Sequence, residues 1–321
     1  MSKIIFIAEL CQNHNGSFDN LKEMVIKCAR NGADIIKLQY IFADALSFRP
    51  KFEKGIKNKK KILTIKRPFK KEKNRLKKLE IKNTELKKFI NLCKKLKVKP
   101  AITCFRRSDI LKIKKIGFDT VKVASYDCAS FQLIRELKNR FKKIIVSTGA
   151  TYDDEIKKTS SILKGKNFSL LHCVTIYPTP INFLNLNRIN YLKTFTKNVG
   201  FSDHSIGFGK NRNLPSLLAI FNGAKYIERH ITILDKNDTK DGKVSIRPED
   251  IIELKKFSSL NKKRQKQYLQ KNYKFNHKKI LGKKFRKLTH LELLNRDYYR
   301  GRFISYKNNR EINNWDEISL Y

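Results

Sequence analysis

Short runs of apolar, β-branched residues alternate with amphipathic segments along most of the chain. Such runs are typical of buried parallel strands, and the segments between them have the spacing of helices that cover a sheet. Eight runs predict strands, at residues 4–9, 33–39, 100–104, 120–124, 143–147, 168–173, 198–202 and 225–230. A predicted helix follows each strand, at residues 18–31, 84–97, 108–116, 130–140, 153–163, 186–196, 213–222 and 248–260. Eight strand–helix units in about 260 residues predict a (β/α)8 TIM barrel over residues 1–260.

Two segments depart from the repeat. Residues 40–82 form a basic insertion between the second strand and its helix, on the face where the active sites of barrels lie. The repeat ends after residue 260: the polar, basic stretch 261–287 predicts a linker, and residues 288–321 predict a short C-terminal appendage.

The charge balance is strongly positive. The 321 residues include 72 Lys and Arg against 29 Asp and Glu, a formal net charge of +43. An excess of this size suggests a polyanionic partner. However, lysine is spread over most of the chain together with many asparagine and isoleucine residues, which favours a compositional bias on solvated faces. Between Arg49 and Lys78 the only aromatic residues are Phe52 and Phe69, too few for stacking on bases, so we expect no specific nucleic-acid partner.

The remaining composition favours a cytoplasmic protein without membrane contact. No stretch reaches the roughly 18 uncharged apolar residues that a membrane span needs. The six cysteines lie far apart without a C-x-x-C pair. We therefore expect reduced thiols rather than disulfides or a structural zinc site.

Polar side chains stand at the end of every predicted strand. In a (β/α)8 barrel these ends meet at one mouth, where catalytic groups cluster. The residues at or just after the strand ends are Glu9, Lys37, Gln39, Thr103, Lys122, Ser125, Asp127, Ser147, Thr175, Tyr177, Ser202, His204, Glu228 and His230. A barrel built for stability alone would not need so many polar side chains at its mouth, so the sequence predicts an enzyme.

His204 and His230 follow two consecutive strands, so their rings are expected to meet over the mouth. Two imidazoles with a carboxylate and open positions are typical of a catalytic divalent-metal site. The alternative is that each histidine only satisfies a loop hydrogen bond. Asp203 beside His204 is either a ligand or a residue that orients a histidine.

A second set combines cations with hydroxyl groups. It consists of Lys37, Lys122, Thr103, Ser125, Ser147 and Ser202. Lysines neutralise charge and hydroxyls donate hydrogen bonds, so the set suits a phosphate with a neighbouring carboxylate. A lysine at a strand end equally suits a Schiff base, as in class I aldolases. Glu9 and Asp127 suit acid–base work, or ion pairs with the lysines.

Seven motifs in order between residues 4 and about 250 resemble the sialic acid synthases, also called N-acetylneuraminate synthases. They are residues 7–9 (IAE) with 12–16 (QNHNG), 32–34 (GAD) with 37–39 (KLQ), 122–125 (KVAS), 147–149 (STG), 171–173 (LHC) with 177–180 (YPTP), 200–205 (GFSDHS), and 227–230 (IERH) followed by Asp241.

The resemblance implies condensation of phosphoenolpyruvate with an N-acylated amino-sugar aldehyde, such as N-acetylmannosamine or a legionaminic or pseudaminic acid precursor. The products are a nine-carbon 2-keto acid and phosphate. It further implies a divalent metal, Mn²⁺ or Mg²⁺, on His204 and His230, and proton transfer by Glu9. Phosphoenolpyruvate would be held by Lys37, Thr103, Lys122, Ser125, Ser147, Thr175 and Ser202, with Lys122 as an electrostatic clamp. The sugar would face Gln39, Tyr177 and Asp241.

Three positions differ from the pattern of the family. Asp127 stands where well-known members have a glutamate that positions the attacking water, and Thr175 stands where many have asparagine. The family usually ends in an antifreeze-like domain that gives an arginine to the partner's active site in a dimer. Here residues 300–303 (RGRF) resemble only the start of that domain. The resemblance therefore implies a homodimer with a truncated appendage, and leaves a catalytically degenerate member as an alternative.

Overall fold

A computed structural model describes residues 4–59, 61–274 and 276–320. Residues 1–3, 60, 275 and 321, which fall within the predicted segments, lie outside this part. The strands are β1 (Ile5–Cys11), β2 (Ile35–Tyr40), β3 (Ile56–Asn58), β4 (Lys61–Thr64), β5 (Lys99–Cys104), β6 (Thr120–Val123), β7 (Lys143–Ser147), β8 (Asn167–His172), β9 (Val199–Asp203), β10 (Tyr226–His230), β11 (Ser305–Lys307) and β12 (Arg310–Ile312). Strands β1, β2 and β5 to β10 pair in parallel and close in that order, β10 returning to β1. The predicted (β/α)8 barrel is confirmed.

Most of the helices cover the outside of the barrel. The helices are α1 (Phe18–Arg30), α2 (Lys51–Lys54), α3 (Phe69–Lys77), α4 (Asn83–Lys95), α5 (Ile110–Ile116), α6 (Phe131–Arg140), α7 (Asp153–Ile162), α8 (Arg188–Leu192), α9 (Leu214–Phe221), α10 (Asp250–Ser259), α11 (Lys262–Asn272), α12 (His277–Leu281) and α13 (His290–Tyr299). Of these, α2 and α3 belong to the insertion and α13 to the C-terminal segment. Side chains such as Phe6, Phe89 and Phe201 fill the layer between strands and helices and are fully buried. Within the described ranges, no helix is long and apolar enough to cross a membrane.

The barrel interior consists of two chemically different layers. The lower layer is an apolar cluster of Ile7, Ile35, Ala101, Ile145, Leu171 and Tyr226. Side chains alternate along a strand with a period of two, so the next inward positions lie nearer the C-terminal mouth. Those positions hold Glu9, Lys37, Thr103, Lys122, Ser147, Ser202 and Glu228, all buried. The apolar layer closes the lower end of the barrel. The polar residues above it form a cup that opens at the mouth.

The insertion 40–82 and the C-terminal residues pack against each other beside the mouth. Leu46 pairs with Phe303 in an isolated antiparallel bridge. The backbone N–H of Ile304 donates to the carbonyl of Ala45 at 3.0 Å. The insertion and residues 288–320 therefore form one continuous wall.

Residues 261–287, which the sequence predicts as a linker, carry two helices that lie on the barrel. Leu269 of α11 and Ile280 of α12 are buried in the main hydrophobic core. The backbone N–H of Leu186 donates to the carbonyl of Ile280 at 3.3 Å. The chain thus remains attached to the barrel surface until it turns toward the mouth.

Candidate active site

Glu9, Lys37 and Thr103 form one buried group in the polar layer. The residues lie on the neighbouring strands β1, β2 and β5. The Nζ of Lys37 is in direct contact with the Oε2 of Glu9 and donates to the Oγ1 of Thr103 at 3.1 Å. The Oε1 of Glu9 accepts a hydrogen bond from the backbone N–H of Cys11 at 2.8 Å. The carboxylate is therefore fixed from two sides.

Glu228 holds a second buried group together. Its Oε1 accepts hydrogen bonds from Lys122 Nζ at 2.9 Å and Ser202 Oγ at 2.7 Å. Its Oε2 lies 3.2 Å from Lys122 Nζ and 3.9 Å from Lys37 Nζ. Burial alone would raise the pKa of Glu228, but Lys122, Lys37 and Ser202 hold it well below its usual range. Glu228 links both lysines.

Glu228 is one of the polar strand-end residues of the sequence, but no role was predicted for it. A signal was available, because Glu228 is two residues before His230 and a period of two places both on the inner face of β10.

The two predicted metal-binding histidines meet at the mouth. The ring centroids of His204 and His230 are 5.3 Å apart, and the Tyr177 ring lies edge-on to His204 at 4.5 Å. Burial lowers the pKa of both imidazoles, which are therefore neutral and have a free nitrogen lone pair. The Nδ1 of each ring is buried and has no hydrogen-bond partner among residues 4–59, 61–274 and 276–320.

Asp241 reaches the same place from the loop after β10. Its Oδ2 lies 3.9 Å from the Nδ1 of His230 and accepts a hydrogen bond from the Sγ of Cys11 at 2.8 Å. Burial raises the pKa of the Cys11 thiol well above its usual value, and Asp241 raises it further. One ligand atom from each of Cys11, His230 and Asp241 lies within 4.8 Å of the others.

Hydroxyl groups line the opposite side of the mouth. Ser125 Oγ and Cys173 Sγ are 2.9 Å apart. A β-carbon added to Gly149 would lie 2.5 Å from Cys173 Sγ, 2.7 Å from Thr175 Cγ2 and 3.1 Å from Ser125 Oγ. These side chains therefore close around the glycine backbone. In the described part of the chain, the buried Oγ of Ser147 has no hydrogen-bond partner.

Asp127 is bonded to the C-terminal segment rather than to the other predicted site residues. Its Oδ1 accepts hydrogen bonds from Ser130 Oγ and Asn314 Nδ2, each at 2.9 Å. Burial raises the pKa of Asp127 to about 6, although Asn314, Ser130 and Arg300 oppose the shift. This carboxyl group therefore changes charge close to neutral pH. No motif in the sequence pointed to Asn314.

The C-terminal residues 288–320 also contact the loops around the mouth. The Nδ2 of Asn295 donates to the backbone carbonyl of Thr175 at 2.7 Å. The rings of Tyr299 and Tyr126 stack with centroids 4.8 Å apart. The segment therefore covers the β6 and β8 side of the mouth of its own barrel.

Two polar residues considered in the sequence lie apart from these contacts. Gln39 is half-buried and pairs with Thr103 in the register of β2 and β5. Asp203 points out of the barrel and forms a fully buried ion pair with Arg229, 2.6 Å from its Nη1. It also accepts hydrogen bonds from Ser205 and Ser216. The hypothesis that Asp203 binds the metal or orients a histidine is therefore wrong, because both of its oxygens are bonded to side chains outside the barrel interior.

The site combines cations, carboxylates and hydroxyls below two neutral imidazoles. This arrangement defines the class of protein: a barrel enzyme with a preformed site for an anionic substrate.

The comparisons with known proteins identify the family. Residues 24–270 match the NeuB family. The N,N'-diacetyllegionaminic acid synthase of Campylobacter jejuni is 33% identical over 260 residues, 78% of this chain and 74% of that protein. A pseudaminic acid synthase of the same species is 32% identical, covering 76% of this chain and 69% of that protein.

A solved structure gives the same result. The N-acetylneuraminic acid (sialic acid) synthetase of Leptospira borgpetersenii, in complex with citrate, superposes with a TM-score of 0.68 at 25% identity, covering 92% of this chain and 91% of that chain. The chain belongs to the NeuB family, and the resemblance to sialic acid synthases is confirmed.

Proposed function

We propose that the protein condenses phosphoenolpyruvate with an N-acylated amino-sugar aldehyde to give a nine-carbon 2-keto acid and phosphate. The observation that carries the proposal is the polar layer in which Lys37 and Lys122 lie side by side on Glu228. Two buried cations within one cup suit a ligand with both a phosphate and a carboxylate group. The relatives named as legionaminic and pseudaminic acid synthases support the same reaction class.

Phosphoenolpyruvate would bind across this layer. Lys37 and Thr103 form one side, and Lys122 with Ser202 forms the other. Ser125, Ser147 and Thr175 would complete the phosphate contacts from the β6 to β8 loops. The Oγ of Ser147 supports this role, because a buried hydroxyl without a partner in the described residues is a donor free for a ligand.

His204 and His230 would hold a divalent metal, Mn²⁺ or Mg²⁺. The residues fit such an ion, since both rings are neutral and buried and the Asp241 carboxylate lies 3.9 Å from the Nδ1 of His230. When bound, the metal supplies Lewis-acid polarisation of the sugar aldehyde. Gln39, Tyr177 and Asp241 would face the sugar.

The protein residues would direct three bond changes. C3 of phosphoenolpyruvate bonds to the aldehyde carbon, water adds to C2, and the C2–O bond to phosphate breaks. Glu9 would assist proton transfer at the sugar oxygen. Asp127 would orient the water and accept its proton, a role that needs the ionised carboxylate. Lys122 would act through its charge, because its Nζ is held in an ion pair with Glu228 rather than left free to attack a carbonyl group.

In this proposal residues 1–260 are the catalytic domain, residues 261–287 connect it to the appendage, and residues 288–321 are the appendage, of which residues 288–320 cover the β6 and β8 side of the mouth. We further propose a cytoplasmic homodimer. Six buried cysteines without a disulfide fit a reducing compartment.

Turnover by the metal-free protein tests the proposal directly. The protein is supplied with phosphoenolpyruvate, Mn²⁺ and a panel of N-acylated mannosamine-type sugars, while phosphate release and product mass are followed. We expect release with one sugar class only, dependent on the metal, and loss of at least about 100-fold in turnover for His204→Ala and His230→Ala because the Lewis acid is lost. His172→Gln is a matched control, since His172 bonds the Leu184 carbonyl outside the mouth.

The alternatives give different results in the same experiment. A Schiff-base aldolase would be trapped by borohydride with a carbonyl substrate and would keep its activity in the presence of chelators. A degenerate member would bind phosphoenolpyruvate without releasing phosphate. Either outcome contradicts the synthase proposal.

Asn314→Ala is expected to move the acidic limb of the pH–rate profile upward by about one pH unit. The Asn314 amide donates to Asp127 and so stabilises the charged carboxylate. Losing that bond raises the pKa of Asp127 further, so that activity is lost at a higher pH as the solution is acidified. The measurement is kcat/KM against pH.

Ser130→Ala provides the comparison, because it removes the other hydrogen bond to Asp127 from within the barrel. It should shift the same limb in the same direction without releasing the C-terminal segment. Profiles that stay at the parent position in both variants would contradict a role for ionised Asp127.

A further inference from the structure

We propose that Cys11 is a sulfur ligand of the metal at the barrel mouth, together with His230 and Asp241. The inference rests on the metal-dependent function proposed above. It adds a thiolate to a site for which the sequence predicted histidine ligands and a carboxylate.

The positions of three side chains carry the proposal. Cys11 is the last residue of β1, two positions after Glu9, and is 4% exposed. Its Sγ is 2.8 Å from Asp241 Oδ2, which is 3.9 Å from His230 Nδ1. Among the described residues, this is the one group of three or more Cys, His, Asp or Glu side chains with ligand atoms this close together.

His230 supplies independent evidence for a ligand at this point. Its side chain is 9% exposed, and its Nδ1 has no hydrogen-bond partner within residues 4–59, 61–274 and 276–320. A buried imidazole nitrogen without a partner is costly unless something binds it. The nitrogen faces the carboxylate oxygen to which the thiol is bonded, so one ion at this place would contact all three groups.

The other cysteines show how unusual this placement is. Cys28 and Cys93 lie on the inner faces of α1 and α4, where they pack in the apolar core. Cys173 contacts the hydroxyl of Ser125 instead of an imidazole. Cys11 alone among these four joins a histidine and a carboxylate.

A sulfur ligand changes which metals the site prefers. On binding, the thiol loses its proton and the thiolate forms the metal–sulfur bond. Thiolate favours zinc and other borderline-soft ions, whereas an all-oxygen and nitrogen site suits Mn²⁺ or Mg²⁺. Sites of nitrogen and oxygen ligands already bind Zn²⁺ and Co²⁺ more tightly than Mn²⁺, so we expect the thiolate to widen this preference and Cys11→Ser to narrow it.

Cobalt titration of the metal-free, full-length protein tests the proposal. Co²⁺ bound to thiolate gives a strong sulfur-to-metal absorption band in the near ultraviolet, separate from the weaker visible bands of any bound Co²⁺. The parent and Cys93→Ser should both show the near-ultraviolet band. Cys11→Ser keeps a hydroxyl that can donate to Asp241; it should lose the band, keep the visible bands and bind Zn²⁺ at least about 10-fold more weakly.

The outcomes separate this inference from the proposed function. If the band persists in Cys11→Ser, or if the parent binds Co²⁺ without it, Cys11 is not a ligand, while the metal-dependent synthase stands. If the parent binds no Co²⁺ at all, both the ligand assignment and the metal site are overturned.

Discussion

Replacing Glu228 with glutamine is expected to lower the free energy of unfolding by about 3–5 kcal/mol and to abolish turnover. The carboxylate is 2% exposed and bonds Lys122 through both oxygens, at 2.9 and 3.2 Å. An amide of the same shape leaves Lys122 buried beside a neutral group, and leaves Lys37 with only Glu9 as its acidic partner. Chemical denaturation monitored by fluorescence or circular dichroism measures the loss.

The pH dependence of this loss is part of the prediction. Because the folded protein holds the pKa of Glu228 below its usual range, the ionised carboxylate stabilises the fold above the unfolded pKa, near 4.3. That stabilisation disappears as the pH falls toward the folded value. The difference between parent and variant should therefore be largest at neutral pH and shrink in acid.

Glu23→Gln is the control, because Glu23 pairs with Lys27 on the exposed face of α1. Its expected cost is about 0.5 kcal/mol or less. Equal unfolding curves for the Glu228 variant and the parent would show that the buried pair contributes nothing to stability.

The barrel and most of its mouth follow from local patterns. Inward and outward positions alternate along each strand, so a polar residue two positions after an inward apolar residue must lie in the next interior layer. Glu9 after Ile7 and Lys37 after Ile35 obey this rule. The predicted fold depended on the same alternation and on the count of eight units.

The same rule explains why Asp203 lies outside the barrel. Asp203 is one residue after the inward Ser202, and a period of two therefore sends it outward, where Arg229 meets it. Cys11 is two residues after Glu9, but the pairing of β1 with β2 shifts register between these residues, so alternation does not place its side chain. The rule therefore excludes Asp203, which proximity in sequence to His204 had made a candidate ligand, but it does not identify Cys11, whose place is shown by the contact of its Sγ with Asp241.

The position of the C-terminal segment could not be predicted from the alternation of side chains along strands. Asn314 meets Asp127 across 187 residues, and no periodicity near either residue encodes the contact. Among the described side chains, α11 buries Gln265 and Leu269 and α12 buries Ile280, amid mostly charged residues, so the local pattern is typical of a linker. Their position depends on tertiary packing, which propensity alone does not predict.

Lys122→Met is expected to weaken phosphoenolpyruvate binding by on the order of 100-fold or more. Lys122 is 4% exposed, and a buried cation that loses its charge costs more than a surface one because water screens little there. The methionine retains much of the apolar stem of lysine but cannot contact the phosphate or carboxylate of the ligand. Calorimetric titration of the metal-free protein measures the affinity apart from the chemical steps.

Lys143→Met is the control that shows whether the loss of affinity is specific to a lysine at the mouth. Lys143 begins β7 at the opposite end of the same barrel, where its Nζ lies 3.1 Å from the Tyr226 hydroxyl. Side chains at that end of a barrel serve stability rather than catalysis, so this variant should bind phosphoenolpyruvate as the parent does. Equal weakening in both variants would mean that the net positive charge of the chain, rather than the cup around Glu228, attracts the ligand. Unchanged binding in Lys122→Met would show that Lys122 does not contact phosphoenolpyruvate. Lys37 would then be the cation that binds the phosphate.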